Sequence, residues 1–438
     1  MNRAIRLLGL MATISIIVAI CFLLFDFFQS REIFPTKTYI GKVNVSGLTK
    51  EKANDKLRSY RMAEIFSPII TFEVEANAFS FSPEALGLTI DYGKSLDQAF
   101  ALSHKESYIK DLKSRLSSKI LFCPLFFKVN DNALKDVLTG LTPLLQSSPR
   151  NASFIFYEKR GSYHIENEEL GREVLVDKTI ASFKERLAKE EKRFPIELAY
   201  QEPAITAKVL REAPPIYRLS AFTTFYGRHD SPNRIHNIKL VASWVDNTIL
   251  LPGQVFSVAD ILGDVTSARG FKEAYVILAG VLVPTLGGGS CQIATTLYNA
   301  AILADLKIVQ RKNHSFYFNI YPLGRDAGVY PGQLDMKFEN DTGKPILIKA
   351  IATNSRLSFR IYGTPTGKKV KLSSPAVFMK GKPATVKQVL AADLPFVTVI
   401  KKTVFSQNGK KINEEEIVSR YKLYGEKDNV PIARPEPR

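Results

Sequence analysis

The chain has 438 residues, too many for one ordinary hydrophobic core, which predicts about two to four domains. Hydrophobic residues make up 45% and charged residues 24%, so the composition excludes a wholly disordered protein. Three cysteines exclude a disulfide-rich scaffold. The net charge of +17 is spread along the chain without an RNA-binding motif, so no nucleic-acid partner is expected.

Residues 1–29 are predicted to form a short cytoplasmic tip and a transmembrane anchor. Arg3 and Arg6 precede an apolar run from Leu7 to Phe25 that is long enough to cross a bilayer. No small-residue cleavage site follows, so we expect an uncleaved single-pass anchor in the cell membrane, with the bulk of the chain extracytoplasmic. A cleaved signal peptide is the alternative. Outside the membrane, the basic surface suits anionic wall polymers or serves only solubility.

Two stretches of similar pattern follow, residues 30–120 and residues 121–213. In each stretch a predicted hairpin precedes a Leu-Gly pair, ending at Gly87 and at Gly171, and a predicted helix comes after it. The recurrence indicates an internal duplication of an α+β module. Such a pair more often supplies binding or spacing than catalysis.

The next predicted domain, residues 214–350, contains a glycine-rich turn that leads into Cys291. A helical pattern begins at this cysteine, with Ile293 and Leu297 facing a core. The glycines of 287–289 allow unusual backbone angles and close approach of a substrate. A thiol at a helix N-terminus loses its proton more readily, so Cys291 is a candidate nucleophile. The alternative is a tight turn with a buried structural thiol.

His314 and Asp326 follow in the same predicted domain. His314 is the candidate base for the thiol, on a predicted strand through residues 316–320, and Asp326 is the candidate group that orients its ring. A structural histidine is the alternative for His314, and Asp335 competes with Asp326.

Further candidates are donors to an oxyanion and binders of substrate. The N–H groups of Ser290 and Cys291 are candidate oxyanion-hole donors, next to Gly289, and the side chain of Gln292 is the alternative. Arg234 and Arg325 are candidates, with Arg228, to pair with substrate carboxylates. His229 and His236 are further candidates for metal binding or for the base role. They lack the spacing and the partners of a zinc site, so neither a metal nor another cofactor is expected.

The end of the chain is predicted to be a small β module, residues 351–425. Gln407-Asn408-Gly409 between alternating strands is a strong hairpin signal. Residues 426–438 contain three prolines and are predicted to be disordered.

Three parts of the sequence resemble known families. The run GGGSCQIATTLYNAAIL, then HS, then YPLGRDAGVYPGQLDMKFEN, closely resembles the VanW domain, and the resemblance extends upstream through YGRHDSPNRIHNIKL. The start TYIGKVNVSGLTKEKA resembles the peptidoglycan-binding domain that often precedes VanW and L,D-transpeptidase domains. The C-terminal stretch resembles a β module commonly attached to VanW domains.

The resemblance implies a cell-wall function. Some VanW proteins with such preceding domains look like a separate class of L,D-transpeptidase, in which Cys291 would attack a stem peptide of peptidoglycan and His314 would be the base. An amine of a neighbouring stem would then complete a 3–3 crosslink. Arg234 and Asn237 match the VanW pattern and would line a peptide groove. The alternatives are a non-catalytic wall-binding scaffold, linked to the wall or to glycopeptide resistance, and a wall peptidase or amidase with water as acceptor.

The expected fold is therefore α+β and multidomain. It has an N-terminal transmembrane helix, two α+β peptidoglycan-binding-like repeats, an α+β VanW domain with the cysteine at a helix N-terminus, and a small C-terminal β module.

Overall fold

The computed structural model describes residues 2–61, 64, 69–104, 108–109, 112–113, 120–189, 191–227, 230–278, 281–392 and 394–422. The predicted tail 426–438 lies outside these residues. The chain divides into two compact units, Met1–Pro149 with Leu170–Glu202, and Arg150–Glu169 with Pro203–Arg438.

The α-helices with defined bounds are numbered in chain order. Helices α1 to α10 span Asn2–Ser30, Lys50–Arg58, Tyr92–Ser103, Asp131–Leu145, Val176–Leu187, Ala207–Glu212, Pro232–Val245, Val258–Leu262, Ser290–Leu303 and Val386–Ala392.

The strands are numbered in the same way. Strands β1 to β26 span Thr38–Ile40, Val43–Asn44, Ile70–Val74, Asn77–Phe81, Leu88–Ile90, Leu121–Cys123, Phe127–Val129, Ser153–Tyr157, Ser162–Glu166, Gly171–Val174, Arg193–Pro195, Leu198–Gln201, Tyr217–Phe225, Thr248–Leu250, Val255–Ser257, Glu273–Leu278, Val281–Leu286, Lys307–Gln310, Lys337–Glu339, Ile346–Ala352, Arg356–Gly363, Lys369–Leu372, Ala376–Met379, Lys382–Ala384, Phe396–Phe405 and Lys411–Tyr421.

The first unit begins with one long apolar helix. Its segment Leu8–Ser30 is long and apolar enough to cross a membrane, judged by length and composition. Two helices that follow it begin at side-chain caps, since Thr49 caps α2 and Asn130 caps α4. The helices predicted after Gly87 and Gly171 are confirmed as α3 and α5.

The two predicted modules of this unit are not separate in the structure. Strand β1 pairs in parallel with β6, and β3 pairs in parallel with β11, so each pair joins residues of 30–120 to residues of 121–213. Phe72 packs on Phe183 and Phe194 in one core. Short hairpins have open edges that need partners, and parallel pairing between distant segments leaves no local sequence signal.

The second unit is built on an antiparallel sheet of order β13-β21-β20-β14. Helix α9 packs on β13 and β21, and α7 packs on β20 and on α9. The predicted core-facing positions of α9 are confirmed, since Ile293 and Leu297 are fully buried. A helix that is buried on all sides, as α9 is from Gln292 to Ile302, belongs at the centre of a domain.

The C-terminal sheet begins later than the predicted module does. Strand β20 ends beyond residue 350, and β21 lies entirely beyond it. Both strands nevertheless contribute to the same core as α9, through Ile348, Phe359 and Ile361. The C-terminal sheet itself starts at β22, and its long strand β25 pairs with β22, β23 and β26. The division between the two parts therefore falls near residue 363.

Candidate functional site

The site is built around a glycine turn between β17 and helix α9. Gly289 has φ of 109°, and a Cβ at this position would lie 2.8 Å from Cγ1 of Ile238. A Cβ at Gly288 would lie 2.7 Å from that of Ala274. These two glycines let the turn pack closely against Ile238 and Ala274. The space beside them was expected to admit a substrate, but these side chains fill it.

Asn237 holds this turn in place. Its side-chain amide donates to the carbonyl oxygens of Gly288, at 3.1 Å, and Lys272, at 2.8 Å, and its oxygen accepts from the N–H of Lys272 at 2.9 Å. The side chain is 1% exposed. Its polar atoms are thus engaged with backbone, which is a structural use different from the predicted lining of a peptide groove.

Cys291 is the second residue of α9 and is partly exposed. Its Sγ lies 3.7 Å from the carbonyl oxygen of Val329. Burial would raise the pKa of the thiol, but the hydrogen bond and positive charge of His314, with smaller effects of the Val329 backbone and Arg234, hold that pKa below its usual range. The geometry therefore favours a thiolate.

His314 lies between this thiol and a carboxylate. Its Nδ1 is 2.6 Å from Oδ2 of Asp326, and its backbone N–H donates to the same oxygen at 2.7 Å. The ring stacks on Tyr321, with centroids 5.4 Å apart and an interplanar angle of 14°. Burial opposes the charge on the imidazole, but bonds to Asp326 and Cys291 prevail and raise the pKa of His314 to about 10. These contacts stabilise the imidazolium and ease the loss of the thiol proton, which is the direction that a thiolate–imidazolium pair requires.

Asp326 is a buried acceptor, 3% exposed. Besides His314, it accepts at Oδ1 from the hydroxyl of Tyr421 at 2.6 Å, and the guanidinium of Arg311 lies 3.6 Å from Oδ1. Burial would raise the pKa of Asp326, but the bonds from His314 and Tyr421 hold it below the usual range. Asp335, the competing candidate, instead accepts from the hydroxyl of Ser257 and from the backbone N–H groups of Ala259 and Met336.

Helix α9 also fixes the backbone on both sides of Asp326. The hydroxyl of Thr295 donates to the carbonyl of Ala327 at 3.1 Å, and it accepts from the N–H of Ala327 at 2.9 Å. Asn299 donates to the carbonyl of Arg325 at 2.8 Å. One helix thus presents the cysteine and anchors the segment that carries the aspartate.

Two expectations about the surroundings of Cys291 differ from the structure. The predicted strand at residues 316–320 is wrong, since these described residues form turns and loop. The N–H of Ser290 donates to the carbonyl of Gly287 at 3.2 Å. The N–H of Cys291 is one of the first-turn donors that lack a partner within their own helix, and it is the remaining candidate for an oxyanion.

Gln292 and Arg234 form a buried polar chain beside the thiol. Arg234 pairs with Asp230 at 2.7 Å and donates to Oε1 of Gln292 at 2.6 Å. The amide of Gln292, fully buried, donates to Oγ1 of Thr224 at 3.0 Å. Both ends of the Gln292 amide are thus engaged within the protein, so this side chain, the alternative oxyanion donor, is not directed at a substrate.

Two of the remaining candidates have other contacts in the structure, and two lie outside the described residues. The guanidinium of Arg325 lies 5.4 Å from the ring centroid of Phe222, a cation–π contact. His236 bonds to the carbonyl of Gly270 at 2.9 Å. Arg228 and His229 lie outside the described residues. Among the residues that the structure does describe, no cluster of three metal-ligating side chains occurs.

Comparison with protein families identifies the region that contains this site. A family model described as "VanW like protein" matches residues 233–362. The chain carries a VanW-like domain. Cys291, His314 and Asp326 all lie within the matched range. A second family model, described as "Putative peptidoglycan binding domain", matches residues 79–195, in the first unit apart from the 150–169 hairpin.

Curated relatives of the VanW-like domain agree with this match. The "Uncharacterized protein YoaR" of Bacillus subtilis is 36% identical over 147 residues, which are 34% of this chain and 48% of that protein. The "Vancomycin B-type resistance protein VanW" of Enterococcus faecalis is 29% identical over 115 residues, 25% of this chain and 42% of that protein. The chain thus spans less than half the length of each relative. No solved structure matches it.

These matches support a cell-wall-associated protein, and the peptidoglycan-binding match supports an extracytoplasmic location. The apolar helix α1 is compatible with either a membrane anchor or a signal peptide.

Three contributors to the VanW-like site have no signal in the local sequence. Tyr421 lies in the C-terminal sheet, and Tyr321 is one aromatic residue among several near His314. Arg311 donates through Nε to the carbonyl of Asp326 at 2.8 Å.

Proposed function

We propose that this protein is an extracytoplasmic cysteine acyltransferase that acts on peptidoglycan, with L,D-transpeptidase-like activity on stem peptides. The observation that carries the proposal is the position of His314, which lies 2.6 Å from a buried carboxylate and whose influence holds the pKa of the Cys291 thiol below its usual range. This arrangement supplies a nucleophile, a base and a group that orients the base.

The reaction follows from the protonation state of the pair. The thiolate of Cys291 attacks a stem-peptide carbonyl, and the carbon–nitrogen bond of the tetrahedral intermediate then breaks. The imidazolium of His314 gives its proton to the leaving amine, which leaves a thioester and a neutral imidazole. An acceptor amine attacks the thioester, His314 takes the proton of that amine, and the thiolate departs. The pair returns to its starting state.

The rest of the chain supports the choice of substrate. The match to the putative peptidoglycan-binding family lies before the VanW-like domain in sequence and supports a substrate in the wall. The apolar helix α1 would hold the protein at the membrane, where new wall is made. The name of the relative in Enterococcus faecalis also connects this kind of domain with resistance to an antibiotic of the vancomycin type.

The test is mass spectrometry of the full chain incubated with purified peptidoglycan fragments. Cys291→Ala is the test variant, and Cys123→Ala is the matched control, because Cys123 is a buried thiol of the other unit. We expect an acyl adduct on Cys291 and crosslinked dimers with the wild type and with Cys123→Ala, and neither with Cys291→Ala.

The other outcomes separate the alternative functions. An adduct followed by trimmed monomers, even when acceptor amine is supplied, would replace the transferase by a peptidase or amidase. An unmodified thiol and unchanged fragments, with wall binding by both wild type and Cys291→Ala, would refute catalysis and leave a wall-binding scaffold.

A further inference from the structure

We propose that Tyr421, at the end of β26, is a positioning residue of the Cys291–His314–Asp326 site, which makes the C-terminal sheet part of the catalytic unit. The inference rests on the proposed function and deepens it. Tyr421 lies beyond the range matched by the VanW family model, so that match assigns it no role.

The segment that carries His314 and Asp326 has little regular structure of its own. Between β18 and β19 the described residues form turns and loop, with one isolated bridge between Tyr330 and Leu334. Backbone groups in such a segment need partners from elsewhere in the fold. Its conformation must therefore be set by the elements that contact it.

The end of β26 supplies these partners on both sides of the histidine. The N–H of Lys422 donates to the carbonyl of Ser315 at 2.7 Å. The side-chain amide of Asn313 donates to the carbonyl of Arg420 at 2.7 Å. Both neighbours of His314 are thus bonded to residues at the end of this strand, Arg420 within it and Lys422 directly after it.

The same strand also holds the turn before Asp326. The hydroxyl of Ser419 donates to the carbonyl of Gly324 at 2.9 Å, and the N–H of Gly324 donates to the hydroxyl oxygen of Tyr421 at 3.0 Å. A Cβ at Gly324 would lie 2.7 Å from Oγ1 of Thr398 on β25, so the turn also lies close to the sheet.

The hydroxyl of Tyr421 links the sheet to the carboxylate. Because its oxygen accepts from Gly324, its proton is directed to Oδ1 of Asp326, 2.6 Å away. Oδ2 remains with His314. The ring of Tyr421 is 2% exposed and stacks on Phe396 with centroids 4.9 Å apart. The hydroxyl thus stabilises the ionised carboxylate and leaves one oxygen for the imidazole.

Tyr421→Phe is the decisive variant, because it keeps the packed ring and removes only this hydroxyl. Tyr317→Phe is the matched control, since the ring of Tyr317 packs against Phe396, as that of Tyr421 does, and against Tyr421 itself. Two readouts on the full chain are needed: kcat/KM for crosslinking of peptidoglycan fragments, and the pH midpoint of Cys291 alkylation by iodoacetamide.

We expect Tyr421→Phe to lower kcat/KM by roughly tenfold and to move the alkylation midpoint to higher pH, because a carboxylate no longer held at Oδ1 keeps Oδ2 less well aligned with the imidazolium and stabilises it less. Tyr317→Phe should change neither. An unchanged midpoint in Tyr421→Phe would overturn the proposal, including the case in which both variants lose activity equally. A shifted midpoint in a protein without crosslinking activity would support the positioning role and refute the acyltransferase.

Discussion

Replacing His314 by glutamine should make the thiol of Cys291 far less reactive at neutral pH. The substitution removes the positive partner of the thiolate and leaves burial, which raises the thiol pKa. A hydrogen bond to a charged group is worth about 1.5–3 kcal/mol, and one pKa unit corresponds to about 1.4 kcal/mol. Losing that interaction weakens ionisation of the thiol by a factor of about 10 to 100, so the thiol pKa should rise and the thiolate fraction at pH 7 should fall by up to that factor.

The assay is the rate of iodoacetamide alkylation as a function of pH, followed by mass spectrometry of the peptide that contains Cys291. Cys123 is an internal reference, because burial raises its pKa and it should react slowly in every sample. His236→Gln is the control, since it removes a histidine of the same domain that bonds to the carbonyl of Gly270. Equal midpoints for wild type and His314→Gln would refute the thiolate–imidazolium pair.

Two further predictions concern stability and use the fluorescence of Trp244, the single tryptophan of the chain, to follow unfolding of this unit in denaturant. Gly289→Ala should lower the free energy of unfolding by about 2–4 kcal/mol, because it combines strain at positive φ with a clash against Ile238. Gly253→Ala is the control, at positive φ in open space, and should lower that free energy by about 1 kcal/mol. Equal losses in the two variants would contradict the packing argument. The wild-type thiol–imidazole pair should add no pH dependence to stability between about pH 6.5 and 8.5, since folded pair and unfolded chain each hold one proton there. Below this window the unfolded imidazole gains a proton, and above it the unfolded thiol loses one that the folded pair keeps up to about pH 10, so stability falls on both sides. In Cys291→Ala the contribution of the cysteine to the histidine pKa is lost, but Asp326 still raises that pKa. Stability should therefore decline by up to about 1.4 kcal/mol per pH unit from about pH 6.5 up to the folded histidine pKa, and a plateau like that of the wild type would count against the shared proton.

The local patterns of the sequence predicted the parts of the site that depend on local structure. Helix α9 follows from the spacing of Ile293 and Leu297, and the glycines before it mark its start. The pairing of His314 with Asp326 was predicted from residue chemistry, and the two are in contact.

Contacts between distant segments were beyond such patterns. Phe316, Phe318 and Ile320 alternate as in a strand, but Phe318 packs edge-on against His314, and the intervening Tyr317 packs against Phe396 of the C-terminal sheet. In the sequence, Tyr421 is one aromatic residue of the predicted β module, and its bond to Asp326 is seen only in the folded structure. The parallel pairs β1–β6 and β3–β11 likewise depend on tertiary structure, which no short window of sequence contains.

The hairpin of β8 and β9 affects how the protein can be dissected. It lies between two parts of the first unit in sequence, yet it belongs to the second, where Phe154 and Phe156 pack in a core with Leu347 and Tyr362. The backbone therefore passes from one unit to the other three times. No single cut can release the second unit intact: a fragment that starts at residue 203 keeps Cys291 and the C-terminal sheet but lacks two aromatic core residues. During synthesis, this hairpin is made long before β20 and β21. Its apolar side chains therefore lack the partners that bury them until those strands have been synthesised.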